Sequence, residues 1–425
     1  MIKIDRTQAP ALGEIKKLNF PPIITTTLAN GIDVSEVVGC SQPVCNINFV
    51  IKRGAYVAKE VFIASATANL LSEGTINHPG NKLPELLDYY GITVSPNATL
   101  YDTRITLRTL SKHIKVAIEL LAEMILTPEF SEENFQVEID QSSEGLKIAN
   151  ERVNYLAQKE FLKLLFGRHH KYGRLNSIDS LKKVTLADIK SFHKENYKPE
   201  YFKIYLSGDI PNNAVELLNS AFSFIESTPT EETHYESIEP VVEHYSYITK
   251  RDAKQSAIFM GKSLVAHNHA DFPSLYFLNV VLGGYFGSRL MTKLREEMGV
   301  TYGVSSYIIP RKGGSDLYIS SEVKAEATEE ARHAIIEVIK TLQEKEISNE
   351  ELINVRSYIM GNIANLFDSS FAVTNQLLTL EYAGSNLDSF NRIIDEAKNI
   401  TPKTIQETAI KYLDTTEFVC AIAGR

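Results

Sequence analysis

Lys182-Lys183-Val184-Thr185-Leu186-Ala187-Asp188-Ile189, with Phe202 and Gly208 downstream, returns as Lys398-Asn399-Ile400-Thr401-Pro402-Lys403-Thr404-Ile405, with Phe418 and Gly424 downstream. Thr185 to Phe202 and Thr401 to Phe418 are both 17 positions, and the two threonines lie 23 positions before their glycines. Each copy has the same physical reading: a threonine N-cap, a helix with one apolar face, then a β-rich run stopped by glycine. The offset between copies is 216. Two further pairs keep the same order. Ser131 and Ser348, 217 apart, each cap a helix with acidic residues in its first turn, after long amphipathic stretches at Ile114 to Ile125 and Glu329 to Leu342. Gly91 and Gly299 each end a helix and lead into a strand.

An offset of half the chain marks a duplicated domain rather than a short-period solenoid. A length of 425 residues suits two domains. Runs of strands with helices grouped together predict an α+β fold: two tandem homologous domains, each a mainly antiparallel sheet with helices packed on one face. The expected limits are 1–228 and 238–425, with the pseudo-repeat running from about 20 to 210 and from about 243 to 425. The join falls in the polar run Ser227 to His234, before a strand at Tyr245 to Ile248. Asn30-Gly31, between β-rich runs at Ile23 to Leu28 and Ile32 to Val38, predicts the first hairpin.

Composition narrows the function. Hydrophobic residues at 44% and charged residues at 23% are ordinary globular values. A net charge of -9 argues against a nucleic-acid partner and an anionic membrane surface. Three cysteines, Cys40, Cys45 and Cys420, make no disulfide framework and no C-x-x-C pair, and read as core thiols. The first residues lack the apolar run of a secretory signal, and no stretch approaches 18 consecutive apolar residues, so a cytoplasmic location without a membrane span is expected.

Gly54-Ala55-Tyr56, the predicted helix Phe62 to Leu71 and Glu73-Gly74-Thr75 together resemble the metal-binding stretch of the pitrilysin (insulinase) peptidases. That stretch has a glycine turn, the inverted zinc motif H-x-x-E-H on a helix, and a terminal K-G-T. The resemblance continues through Gly283-Gly284, Ser288-Arg289-Leu290 and Leu294-Arg295-Glu296-Glu297-Met298-Gly299-Val300-Thr301-Tyr302, and covers essentially the whole chain. At the family's spacing the first histidine falls on Ser65, the catalytic glutamate on Ala68 and the second histidine on Asn69. Zinc catalysis needs imidazoles at i and i+4 and a carboxylate base between them, and these three residues supply neither. Glu144 lies near the family's third-ligand position, and also reads as an exposed helix carboxylate.

No other residues replace the metal site. His267-Asn268-His269 with Asp271 has ligand types, but in a polar turn it reads as a solvated loop. No G-x-S-x-G elbow is present, and Gly283-Gly284-Tyr285-Phe286-Gly287 reads as a tight backbone passage into a helix rather than a phosphate loop. What the resemblance retains is Arg295 and Tyr302: in the family an arginine and a tyrosine at this spacing reach toward the zinc and hold the substrate peptide. Guanidinium and phenol donors suit carbonyl and oxyanion acceptors. The competing reading makes Arg295 a helix-end cation and Tyr302 a core ring.

The resemblance therefore implies a non-catalytic, substrate-binding subunit of a heterodimeric zinc peptidase acting on peptides. Zinc is expected in the partner, a zinc-binding pitrilysin-family subunit, and not in this chain. A purely structural or binding protein of the same family is the alternative.

Overall fold

A computed structural model describes residues 17–39, 42–228 and 232–425. The strands of the first half are β1 (Ile23–Thr27), β2 (Asp33–Val38), β3 (Val44–Ile51), β4 (Thr93–Ala98), β5 (Thr103–Leu110) and β6 (Phe202–Gly208). Those of the second half are β7 (Tyr245–Thr249), β8 (Gln255–Leu264), β9 (Thr301–Arg311), β10 (Gly314–Lys324) and β11 (Val419–Gly424). They form two sheets, in the orders β1-β2-β6-β3-β5-β4 and β7-β11-β8-β10-β9. Set β1 aside and the sheets correspond strand for strand. In each, the last strand of the half lies parallel to the first (β2 with β6, β7 with β11), and every other pairing is antiparallel. This is the α+β architecture expected from the repeat.

The matched sequence signals occupy matched places. Thr185 and Thr401 form capping boxes on the helices Leu186–Asn196 and Pro402–Tyr412, each followed by the inner strand of its sheet. Ser131 and Ser348 accept from the backbone N–H three residues on, both at 3.1 Å. Gly91 and Gly299 take φ of 63° and 61°, the left-handed C′ conformation. Asn30-Gly31 closes the hairpin, with the Leu28 N–H on the Ile32 carbonyl at 2.8 Å. At the expected junction, residues 229–231 lie outside the described residues, as does Cys40. Beyond it, Thr233 accepts from Arg53 at 2.8 Å and the Glu236 N–H donates to the Tyr56 hydroxyl at 2.6 Å. Cys45 and Cys420 are buried free thiols, pushed by burial up to about 11 and about 12.

The inner strands are buried at nearly every position because both faces are covered. Alternation divides each strand between two cores. Ile47, Phe49 and Ile51 of β3, with Ile204 and Leu206 of β6, meet the helices of their own half, including Val61–Leu70 and Ile114–Leu126. Ile258 and Met260 of β8 and Ile422 of β11 do the same in the second half, under Thr328–Glu344 and Asn349–Asn365.

Each sheet's opposite face takes a helix from the other half. Ala157, Phe161 and Leu165 of the helix Val153–Phe166 lie on Ala257, Phe259 and Ala421 of the second sheet. Reciprocally, Val373 and Leu378 of the helix Ser370–Tyr382 lie on Val37 and Tyr205 of the first. Glycine permits the approach in both places: a Cβ on Gly261 would come within 3.0 Å of the Phe161 ring, and one on Gly208 within 3.0 Å of the Phe371 ring. Polar contacts accompany this exchange. Glu381 reaches Lys52 and Lys203, both at 3.1 Å, and accepts a short hydrogen bond from Tyr205. Arg104 donates to the Leu378 carbonyl at 3.1 Å. Among the described residues, no helix is long and apolar enough to cross a membrane.

Candidate functional site

The helix Val61–Leu70 is apolar almost all round and buries Phe62, Ile63, Ala64, Ala66, Ala68 and Leu70. Ser65 and Asn69, one turn apart, share its less buried side. Ser65 turns its hydroxyl back onto the Phe62 carbonyl at 3.0 Å. Ala68, where the resemblance implied the base position, is fully buried in the core. The Asn69 amide donates to the Glu138 carboxylate at 3.0 Å. Glu138 lies on the helix Glu132–Asn150 and also accepts from Ser142, one turn on, at 3.3 Å. Burial, and then the charge of Glu138, raise the carboxyl of nearby Glu73 above its usual range.

Glu144 is not part of this group. Its side chain is 63% exposed and pairs with Lys147 at 3.1 Å. Helical period explains the difference: the face that Glu138 presents to Asn69 recurs two turns later at residue 145, a glycine, while residue 144 points about 100° away. Of these three positions only Asn69 meets a carboxylate, which its own amide already engages, and none supplies an imidazole. This donor set does not fit zinc. Among the described residues, no three His, Cys, Asp or Glu side chains converge as metal ligands. Glu138 escaped the sequence reading, since nothing local marks which carboxylate of Glu132–Asn150 will meet the neighbouring helix.

The histidine turn comes apart in the same way. His267 lies against the Phe272 ring, centroids 4.2 Å apart, and burial, with Arg392 nearby, pushes it down to about 4. His269 accepts from the Asp271 N–H, while the Asp271 carboxylate is held by Lys411 and Tyr412, both at 2.6 Å. The Glu73-Gly74-Thr75 stop is tied down instead: Thr75 donates to Glu123 at 2.9 Å, and His78 meets the same carboxylate at 2.8 Å.

Arg295 lies on the segment Met291–Glu297, a helix of π form. Its end is marked by the Met298 N–H on the Lys293 carbonyl, five residues back, at 3.1 Å. Gly299 then turns the chain into β9, with the Val300 N–H on the Leu294 carbonyl at 3.1 Å. Buried Met291, Leu294, Val300 and Val304 anchor this passage. Arg295 is half-buried, its guanidinium 4.6 Å from the centroid of the Phe286 ring. Tyr302, at the start of β9, is 90% exposed, which rules out a core ring. Among the described residues, neither side chain has an ion-pair or hydrogen-bond partner.

Close by, a cavity of about 680 Å³ opens between the halves, where Glu151, Arg152 and Gln158 face Lys250, Gln255 and Glu322. The Thr301 hydroxyl, next in chain to Tyr302, donates to the Glu322 carbonyl on that wall at 2.7 Å.

A family model described as Insulinase (Peptidase family M16) matches residues 41–172, and one described as Peptidase M16 inactive domain matches residues 183–358, together well over half of the chain. A protein of Helicobacter pylori named as a non-peptidase homolog, YmxG, is 22% identical over 368 residues, 85% of this chain and 84% of its own. The crystal structure of a peptidase M16 inactive domain from Pseudomonas fluorescens shares the fold with a TM-score of 0.85 at 22% identity, covering 95% of this chain and 98% of that one. The periplasmic protease PqqL of Escherichia coli matches with a TM-score of 0.76 at 16% identity, over 97% of this chain but 48% of its own length.

Proposed function

Since the chain belongs to the insulinase (pitrilysin) peptidase family M16 and is of the kind that lacks H-x-x-E-H, we propose that it is the substrate-binding subunit of a two-subunit peptidase whose zinc lies in the partner. The observation that carries this reading is Tyr302: a tyrosine 90% exposed at the head of a strand, with no partner among the described residues, contributes nothing to the fold that would keep it there. Arg295, seven residues earlier, likewise keeps its donors uncommitted. A guanidinium offers a rigid fork of donors to a peptide carbonyl, and a phenol can donate to an oxyanion. The chain spans about half of PqqL, whose length leaves room for a second unit of this size, and this supports an assembly of two such units.

In this reading the partner's zinc supplies the activated water and polarises the scissile carbonyl. This chain holds the peptide in register through Arg295 and shares developing negative charge through Tyr302.

The test is a mixed complex with an H-x-x-E-H-bearing M16 subunit from the same source. Tyr302→Phe or Arg295→Ala should lower turnover about 100- to 1,000-fold, the usual effect of losing one such donor. Assembly and the partner's zinc content should be unchanged. Arg295→Lys should restore activity only in part, since an ammonium lacks the planar fork. Full activity of both loss variants within an intact complex would overturn the proposal and favour a purely structural role.

A further inference from the structure

The turn Gly283-Gly284-Tyr285-Phe286-Gly287 has no part in the function proposed so far, yet it places a phenylalanine 63% exposed beside Arg295. We infer that Phe286 is the third member of the substrate-holding group: its ring seats a large apolar or aromatic side chain of the bound peptide, and its stacking fixes the Arg295 guanidinium. This inference rests on the reading of Arg295 and Tyr302 as peptide-holding residues.

The exposure of Phe286 does not come from a loose loop. Two π-helical segments, Val280–Gly284 and Met291–Glu297, bracket the turn, a helical form that recurs at functional sites. Both segments are fastened to β9, the strand that carries Tyr302. Gly283 lies so close to it that an added Cβ would stand 2.7 Å from the Ser306 hydroxyl and 2.8 Å from its backbone nitrogen. Asn279 donates its side-chain amide to the Ser306 carbonyl at 3.3 Å and accepts the Ser306 hydroxyl on its own carbonyl at 3.1 Å. The Val304 N–H meets the Met291 sulfur at 3.4 Å. Phe286, Arg295 and Tyr302 therefore stand on one rigid support.

A cation–π contact occupies the face of the guanidinium and not its N–H groups, so the Phe286 ring holds Arg295 without consuming its hydrogen bonds. Free guanidinium donors beside an exposed ring, with an exposed phenol on the strand to which the turn is fastened, match an extended peptide, which offers backbone carbonyls with a side chain between them. A broad protein interface fits less well, because the neighbours of the turn are charged: Arg289 forks onto Glu351, and Lys293 pairs with Glu297 at 3.3 Å. The substrates favoured are peptides with Phe, Tyr, Leu or Met next to the carbonyl that Arg295 holds.

The chain contains no tryptophan, so Phe286→Trp creates a single fluorescent reporter that keeps the cation–π contact. The full-length variant is titrated with a short unstructured peptide rich in phenylalanine, and with the same peptide carrying alanine at those positions. The expected result is a shift in indole emission with at least about tenfold preference for the phenylalanine peptide, weakened by adding Arg295→Ala. An equal response to both peptides, or none, overturns the inference. Cleavage by the mixed complex separates the two proposals. A preference in binding with no cleavage sinks the proteolytic reading alone; cleavage whose apolar preference survives Phe286→Ala sinks this one alone.

Discussion

The side-chain amide of Asn69 donates to the carboxylate of Glu138 at 3.0 Å, joining two helices. The bond makes Asn69, where the family's spacing led the sequence reading to expect a zinc ligand, part of the packing between Val61–Leu70 and Glu132–Asn150. Ser65, one turn earlier, bonds within its own helix.

Reinstating the motif is therefore expected to need more than three substitutions. Ser65→His, Ala68→Glu and Asn69→His together should bind zinc weakly, and adding Gly145→Glu, on the Glu138 face, should tighten binding by at least about tenfold. Ala68→Glu alone places a carboxyl in a fully buried site and should cost about 1–3 kcal/mol in urea unfolding. The wild-type chain should contain no stoichiometric zinc by metal analysis; one tightly held ion per chain would contradict the assignment.

Gly145 also offers a simple stability test. It lies inside a 19-residue helix, and an added Cβ would meet nothing within 4 Å. Gly145→Ala should stabilise the chain by about 0.5–1 kcal/mol by reducing the backbone freedom of the unfolded state. A loss of stability would mean that the position already contacts something.

The exchanged helices make each half incomplete. Divided at the proposed limits, 1–228 and 238–425, each piece should be aggregation-prone alone, because one face of its sheet is bare, and soluble when the two are co-expressed. Phe161→Ala, removing a fully buried ring between the first-half helix and the second sheet, should cost about 3–5 kcal/mol. Two halves that fold and unfold independently would rule out this mutual dependence.

Acid should loosen the same contact. Burial works against the charged form of Glu381, but the Tyr205 hydrogen bond, Lys52 and Lys203 outweigh it, so its carboxyl lies below the usual glutamate range. A depressed folded value gives stabilisation that is fully present above the ordinary glutamate range and lost as the pH falls through the lowered value. Glu381→Gln should lower stability at neutral pH and flatten its decline on acidification. Parallel pH curves for variant and wild type would show that the cluster contributes nothing.

The duplicated architecture was legible in the sequence because it rests on local chemistry. Thr185 and Thr401 cap helices, Gly91 and Gly299 accept the left-handed conformation, and Asn30-Gly31 closes a hairpin, whatever surrounds them. That no two histidines stand at i and i+4 on one helix needed only the sequence and the helix period. Glu144 shows the limit of that method: one residue turns a side chain about 100° on a helix, and only the contact between helices shows which residue faces Asn69. The exposure of Tyr302 was equally illegible, since tyrosine on a strand suits a core as well as a surface.

By itself the sequence determined which residues start and stop the matched elements, that the set occurs twice, and that no H-x-x-E-H motif is present. Only the tertiary structure decided that the helices Val153–Phe166 and Ser370–Tyr382 change sides to cover each other's sheets, that Glu138 answers Asn69, and that Phe286 stacks on Arg295 beside the strand bearing Tyr302. The physical reason is that an apolar face records only that it will be buried. Which distant surface buries it depends on packing that closes when both halves are folded together.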